Sequence, residues 1–314
     1  MRKITTIGHK LSAWVALSRP PFHSVGVLPF ILGSVLAGQQ TGTFRWAICA
    51  WGTLGVVLVM LATYYAGEYW DYAEDTLSKR LGPSRFAGGS RVLQRGLLPR
   101  HAALWASFVT LLLAIGVGSI LQLGYRTGPW TIPLGVMGIL GGFFYSTQPV
   151  RWVRTGFGEL WIAFCYGWLP VAVGYYLQAG NIPPLVHRLA IPIGLTIFNV
   201  ILLNEFPDYA ADRATGKRNL VVRLGRERAS GLYALTSMAS CTAMTLSLAD
   251  GVPTRALWFY LPILALSLLL VVSLLRRQWR DRATLEKLCA ANLVVNLGTT
   301  AAYILAFAGR ASRN

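Results

Sequence analysis

Nine apolar runs divide the chain, near 21–37, 46–66, 102–121, 130–148, 159–178, 189–203, 229–249, 256–275 and 288–308. A helix needs roughly 20 apolar residues to cross a ~30 Å hydrocarbon layer, and most of the runs approach that length. The sixth is short at these limits, so its helix is expected to continue into the polar residues after it. Basic residues are distributed unevenly between the runs. The N-terminal segment and the second, fourth, sixth and eighth loops hold 4, 6, 2, 6 and 5 Lys or Arg residues. The intervening loops and the C-terminal segment hold 1, 1, 1, 1 and 2. Such alternation follows the rule that positive loops stay on the cytoplasmic side. It predicts an all-α, polytopic membrane protein with nine transmembrane helices, a cytoplasmic N-terminus and an external C-terminus.

Composition agrees, with 54% hydrophobic and only 13% charged residues. The net charge of +17 would suit a nucleic-acid binder, but its loop-by-loop arrangement serves topology instead and argues against that partner. The start, MRKITTIGHK, is basic like a signal peptide, yet Lys10 and the run Arg19, Pro20, Pro21 interrupt any apolar core there, so the segment is expected to be retained. Cys49, Cys165, Cys241 and Cys289 are scattered through apolar runs without CxxC spacing. That pattern supports neither a disulfide framework nor a zinc site.

The chain has 12 acidic residues, and seven fall in two short windows: Glu68, Asp71, Glu74 and Asp75, then Glu205, Asp208 and Asp212. Each window closes an apolar run at a base-rich loop, the second and the sixth. Two runs of one orientation, four apart, predict two pseudo-repeated four-helix units plus one extra helix. On a helix, Asp71 and Asp75 share a face, as do Asn204, Asp208 and Asp212. Carboxylates about 6 Å apart repel by roughly 3 kcal/mol at an effective dielectric of about 20. A divalent cation relieves that repulsion, and Mg2+ is typically held by one or two carboxylates plus substrate phosphates. With Lys217, Arg218 and Arg223 close by in sequence, the two faces suit a diphosphate with Mg2+.

Other residues add detail. Gly88 and Gly89, between Arg85 and Arg91, suit a loop folding over phosphate. Tyr145 and Ser146 place polar groups where the fourth run ends, and Glu159 enters the fifth either as a functional carboxylate or as a helix cap. None of the four histidines has a partner at useful spacing. Acids and internal repeats also mark cation-coupled transporters, but such carriers place ionisable groups near span centres rather than at one edge.

NEFPDYAAD at 204–212 with GKRNLVVRLG at 216–225, GEYWDYAED at 67–75, Arg19 with Pro20, and YSTQPVRWVRTGFGE at 145–159 together resemble the UbiA-type intramembrane prenyltransferases over nearly the whole chain. LGPSR and GKRNLVVRLG look closest to the menaquinone branch. The resemblance implies one intramembrane domain over 1–314, with loops 67–101 and 204–228 capping the active site. It implies Mg2+-dependent transfer of a polyprenyl group from polyprenyl diphosphate to an aromatic acceptor, 1,4-dihydroxy-2-naphthoate foremost. Acceptors of related branches are 4-hydroxybenzoate, homogentisate and a glycerophosphate. Asp71, Asp75, Asp208 and Asp212 would be catalytic metal ligands, and Asn204, Glu68, Arg91, Tyr145, Ser146, Lys217 and Arg19 substrate contacts. The location implied is the inner (plasma) membrane, with the site on the cytoplasmic side. Two positions depart from the family pattern. Gly67 stands where Asn is usual, which leaves one metal or phosphate contact either missing or taken by Glu68; Pro207 lies inside the second motif and predicts a helix break at Phe206.

Overall fold

A computed structural model describes residues 7–81 and 84–308. Arg2, Lys3, Arg310 and Arg313 of the loop count, and Gly82 and Pro83 of the LGPSR segment, lie outside the described residues. The described chain is all-helical. An N-terminal helix, α1 (Ile7–Leu17), precedes α2 (Pro20–Thr41) and α3 (Trp46–Trp70), and α4 (Tyr72–Leu81) is a short polar helix. Then come α5 (Arg100–Ser119), α6 (Thr131–Ser146), α7 (Gly158–Ala163) and α8 (Leu169–Ala179). The long α9 (Pro184–Ala214) leads to α10 (Leu220–Leu224), α11 (Arg226–Leu246), α12 (Arg255–Leu275) and α13 (Arg282–Ala308).

Each predicted run finds its helix, with one difference in length. Among the described residues, eight helices are long and apolar enough to cross a membrane. The fourth run, 130–148, becomes α6, which at 16 residues is shorter. Thr147 is already extended with ψ 140°, and Pro149 disfavours helix at Gln148, so the run cannot use its last residues. Conversely α9 reaches 31 residues by running through the acidic motif.

Close approach of backbones, rather than apolar bulk alone, joins the helices. Where α2 meets α8, a Cβ on Gly33 would strike the Val171 carbonyl and one on Gly174 the Phe30 carbonyl, and Ser34 Oγ donates to the Gly174 carbonyl at 3.3 Å. Small residues serve this purpose in lipid, where apolar bulk gives no drive between helices. A buried polar network ties α9, α11 and α13: Asn199 Nδ2 donates to Ser237 Oγ at 2.9 Å, Asn292 Nδ2 to the Asn199 carbonyl at 2.8 Å, and Tyr233 OH to Asn292 Oδ1 at 2.9 Å. Between α7 and α8, residues Phe164–Trp168 form one π turn, so Gly158–Ala179 is a single span with a local bulge. Tyr166 sits on that bulge.

Candidate active site

The first acidic cluster forms where α3 ends. Asp71 caps α3, its N–H bonding the Gly67 carbonyl at 2.8 Å, and α4 restarts at Tyr72. Asp71 and Asp75 therefore lie on two helices rather than one, yet the Asp75 N–H still reaches the Asp71 carbonyl at 2.9 Å and keeps them one turn apart. Ser146 Oγ donates to Asp71 Oδ2 at 2.5 Å, and Arg151 pairs with its Oδ1 at 2.8 Å. Arg151 also reaches Glu74 at 3.1 Å, and Arg154 completes an ion pair there. Both arginines come from the fourth loop, with Arg151 in the left-handed region at φ 48°.

The second cluster corrects the expected break at Pro207: α9 is continuous through it. Pro207 removes the N–H that would serve the Leu203 carbonyl, and Cys289 Sγ of α13 approaches that carbonyl at 3.8 Å instead. Bundle packing thus holds the helix across the proline, and Asn204, Asp208 and Asp212 share one face. Asp208 accepts from Ser78 Oγ and from the Gly88 N–H at 2.9 Å. Asp212 pairs with Lys217 at 3.1 Å and accepts from Asn219 Nδ2 at 2.8 Å. Gly216, at φ 73°, turns the chain so that Lys217 folds back onto the helix it has just left. Glu159 acts as a cap, though not of its own helix. Its Oε1 accepts the Leu220 N–H at 2.6 Å and so serves α10.

Gly88 and Gly89, at φ 71° and 65°, carry their loop across the mouth, and the Ser90 N–H donates to Glu68 Oε1 at 2.5 Å. A Cβ at Gly89 would run into the Asp75 carboxylate. Gly67 leaves room, since a Cβ there would meet only Ser146 Oγ at 3.7 Å and Asp71 Oδ2 at 4.0 Å.

Both clusters open on one cavity of about 240 Å3. Asp71, Asp75, Asp208, Asp212, Asn204, Glu68, Tyr145, Ser146, Lys217 and Arg19 all line it. Arg91 does not; its guanidinium turns away to the Ser84 carbonyl. Sequence reasoning missed Ser78, Arg151, Arg154 and Asn219. The only signal for the two arginines was that they are the sole bases of the fourth loop. A second cavity of about 130 Å3, walled mostly by glycines and aliphatic side chains of α3, α5, α6 and α8, lies deeper. The two share Thr63 and Tyr166.

Burial pushes Asp71 up to about 6, against the pull of Lys217, and burial with Asp71 and Glu68 nearby pushes Asp75 well above the usual carboxylate range. Burial also opposes the Glu74 charge, but Lys217, Arg154 and Arg151 outweigh it and hold Glu74 low. Lys217 is likewise desolvated, yet Asp212, Asp71, Glu74 and Asp75 hold its ammonium above the usual lysine range. Asp71 thus binds a proton more tightly folded than unfolded. Its contribution to stability is full below the ordinary carboxylate pKa and is lost as pH rises through about 6. Metal-free protein is expected to lose melting temperature between about pH 4 and pH 7, and Asp71→Asn to flatten that slope. Parallel slopes in the two proteins would contradict the assignment.

Among the described residues no three His, Cys, Asp or Glu side chains stand close enough to hold an ion by themselves. The donor set still fits Mg2+: the carboxylates of Asp71, Asp75, Asp208 and Asp212 line one cavity, and phosphate oxygens of a substrate would complete the shell.

The model of the UbiA prenyltransferase family matches residues 27–295, and the chain belongs to that family. A 1,4-dihydroxy-2-naphthoate octaprenyltransferase of Mycobacterium tuberculosis is 30% identical over 75% of this chain and 78% of its own length. The Escherichia coli protein of the same name is 26% identical over 83% of each. A UbiA homolog from Archaeoglobus fulgidus, solved bound to GPP and Mg2+, superposes with a TM-score of 0.67 at 15% identity, covering 93% of this chain and 99% of that one.

Proposed function

We propose that this UbiA-family prenyltransferase moves a polyprenyl group from polyprenyl diphosphate onto an aromatic acceptor, most fittingly 1,4-dihydroxy-2-naphthoate, at the cytoplasmic face of the plasma membrane. One observation carries the reading: a carboxylate-lined chamber and an apolar one meet at Thr63 and Tyr166. That junction suits a molecule with an anionic head and a long hydrocarbon tail. The naphthoate acceptor is supported by the relatives at 26–30% identity, which are 1,4-dihydroxy-2-naphthoate octaprenyltransferases. The cytoplasmic orientation is supported by the base-rich loops at the acidic end of the helices.

In this reading Asp71, Asp75, Asp208 and Asp212 would hold Mg2+, with Asn204 beside them. Bound there, Mg2+ supplies charge neutralisation for the departing diphosphate. Lys217 brings a buried positive charge to the same end of the cavity, where it offsets the negative charge that develops on the leaving oxygens. Ser146 and Arg151 hold the Asp71 carboxylate in place. The Gly88–Ser90 loop and the 216–219 turn close the chamber from the aqueous side and restrict water. Arg91 would support its loop rather than touch phosphate.

The test is direct. Purified protein in nanodiscs is given one prenyl diphosphate, Mg2+ and a panel of 1,4-dihydroxy-2-naphthoate, 4-hydroxybenzoate, homogentisate and a glycerophosphate, and products are weighed by mass spectrometry. Prenylated naphthoate product is expected, and preference for another acceptor would move the protein to that branch. Uptake of a solute into proteoliposomes with no diphosphate release would replace the enzyme by a transporter.

The junction between the chambers makes its own prediction. A Cβ on Gly142 of α6 would strike Thr63 Oγ1. Gly142→Val is expected to crowd Thr63 toward Tyr166 and lower kcat/KM for an octaprenyl donor about tenfold relative to a geranyl donor. Equal kcat/KM losses with both donors would mean that the tail takes another route.

A further inference from the structure

Arg19 stands apart among the bases of the cavity. Lys217 is ion-paired with Asp212, and Arg151 and Arg154 are committed to Asp71 and Glu74 without lining the chamber. Among the described residues Arg19 makes no side-chain hydrogen bond and no ion pair, although it lines a cavity rich in carboxylates. It is nevertheless well held. Its backbone is left-handed at φ 51°, immediately before Pro20 and Pro21 start α2. Its guanidinium lies 5.0 Å from the ring centre of Phe22 and 5.9 Å from that of Tyr64. Two aromatic faces fix the plane of the cation while leaving its N–H edge uncommitted.

The positive charges of the cavity act on different neighbours. Lys217 acts on Asp71, Asp75 and Asp208, the end assigned above to the diphosphate and metal. Arg19 acts on Glu68 and Tyr64. In the same lining, Glu68 is 3% exposed, and its Oε2 is buried with no donor, although Oε1 is already satisfied by Ser90. A free guanidinium edge and an orphaned acceptor therefore line one chamber. A planar molecule with a carboxylate and a neighbouring hydroxyl satisfies both.

We infer that Arg19 anchors the carboxylate of the aromatic acceptor, while Glu68 Oε2 accepts the hydrogen bond of a hydroxyl beside that carboxylate. This rests on the prenyltransferase reading and narrows it to ortho-hydroxy aromatic acids. The carboxylate takes two N–H bonds from one flat fork, a geometry that lysine cannot reproduce. Arg19 thereby sets which acceptor is selected and leaves diphosphate binding to Lys217 and the aspartates.

The experiment is equilibrium binding to the full-length protein in nanodiscs, with wild type, Arg19→Gln and Arg19→Lys. The probes are 1,4-dihydroxy-2-naphthoate, its carboxylate-free analogue 1,4-dihydroxynaphthalene, and geranyl diphosphate with Mg2+. Arg19→Gln is expected to weaken the acid about tenfold or more while changing the diol and the diphosphate by less than about twofold. Arg19→Lys should recover only part of the loss. Intact diphosphate binding shows that each variant is folded. An equal loss for acid and diol overturns the carboxylate anchor, and so does unchanged acid binding with weakened diphosphate. Wild-type protein that transfers prenyl groups to an aromatic acid which Arg19→Gln binds equally well overturns this inference alone. A wild type that prenylates no aromatic acid overturns the underlying reading as well.

Discussion

Asp71→Asn is expected to lower prenyl transfer by about a thousandfold while leaving the fold intact. Asn keeps the shape and can still accept from Ser146, which bonds the native carboxylate at 2.5 Å. Arg151 keeps Glu74 as a partner, at 3.1 Å. What disappears is one negative charge at the point where the metal–diphosphate complex would be gripped. Removing a single well-placed electrostatic contact commonly costs about 10²–10³ in rate, and loss of a metal ligand falls at or beyond the upper end. The measurement is product formation in nanodiscs at saturating donor and Mg2+, with Asp208→Asn as the matching variant on α9. A melting temperature near the wild type's would place the effect in chemistry rather than folding. Near-native turnover by either variant at saturating Mg2+ would remove the aspartates from the proposed site.

Lys217→Met is expected to destabilise the protein by about 3–5 kcal/mol, the usual consequence of stripping one partner from a buried ion pair. Lys217 is 9% exposed and sits 3.1 Å from Asp212, and Asp71, Glu74 and Asp75 also act on its charge. Methionine fills a similar volume, so the loss reports charge and not a void. The double variant with Asp212→Asn should recover part of the stability, because one uncompensated carboxylate goes with it. Unfolding free energies of the four proteins of this cycle in one detergent give the coupling. A Lys217→Met protein within about 1 kcal/mol of wild type would show that the acids are already protonated or solvated without it.

The helices could be read from the chain because nothing else accommodates such long apolar stretches in lipid, and the two acidic faces stood out because acids are so scarce elsewhere. Pro207 misled because a local rule about missing N–H groups was applied where α13 supplies a neighbour for the freed carbonyl. Arg151 and Arg154 were invisible as site residues: they come from a loop about 80 residues beyond Glu74, with no spacing that links them to it, and they look like ordinary topological charges. Arg91 went the other way. Its place beside a Gly pair pointed to phosphate, whereas a positive φ of 63° turns its side chain into its own loop. The partitioning of acids between metal, cap and ion pair depends on which loops fold back, and loop closure leaves no periodic trace in a sequence.

The π turn at Phe164–Trp168 bears on how relatives of this protein can differ. A π turn carries one residue more than the helix around it requires, and each residue of an α-helix advances the chain by about 100°. Deleting that surplus residue would restore regular winding and swing Tyr166 off the junction between the carboxylate-lined cavity and the apolar one. A single-position gap here in another member of the family would therefore accompany a differently shaped junction between the two cavities.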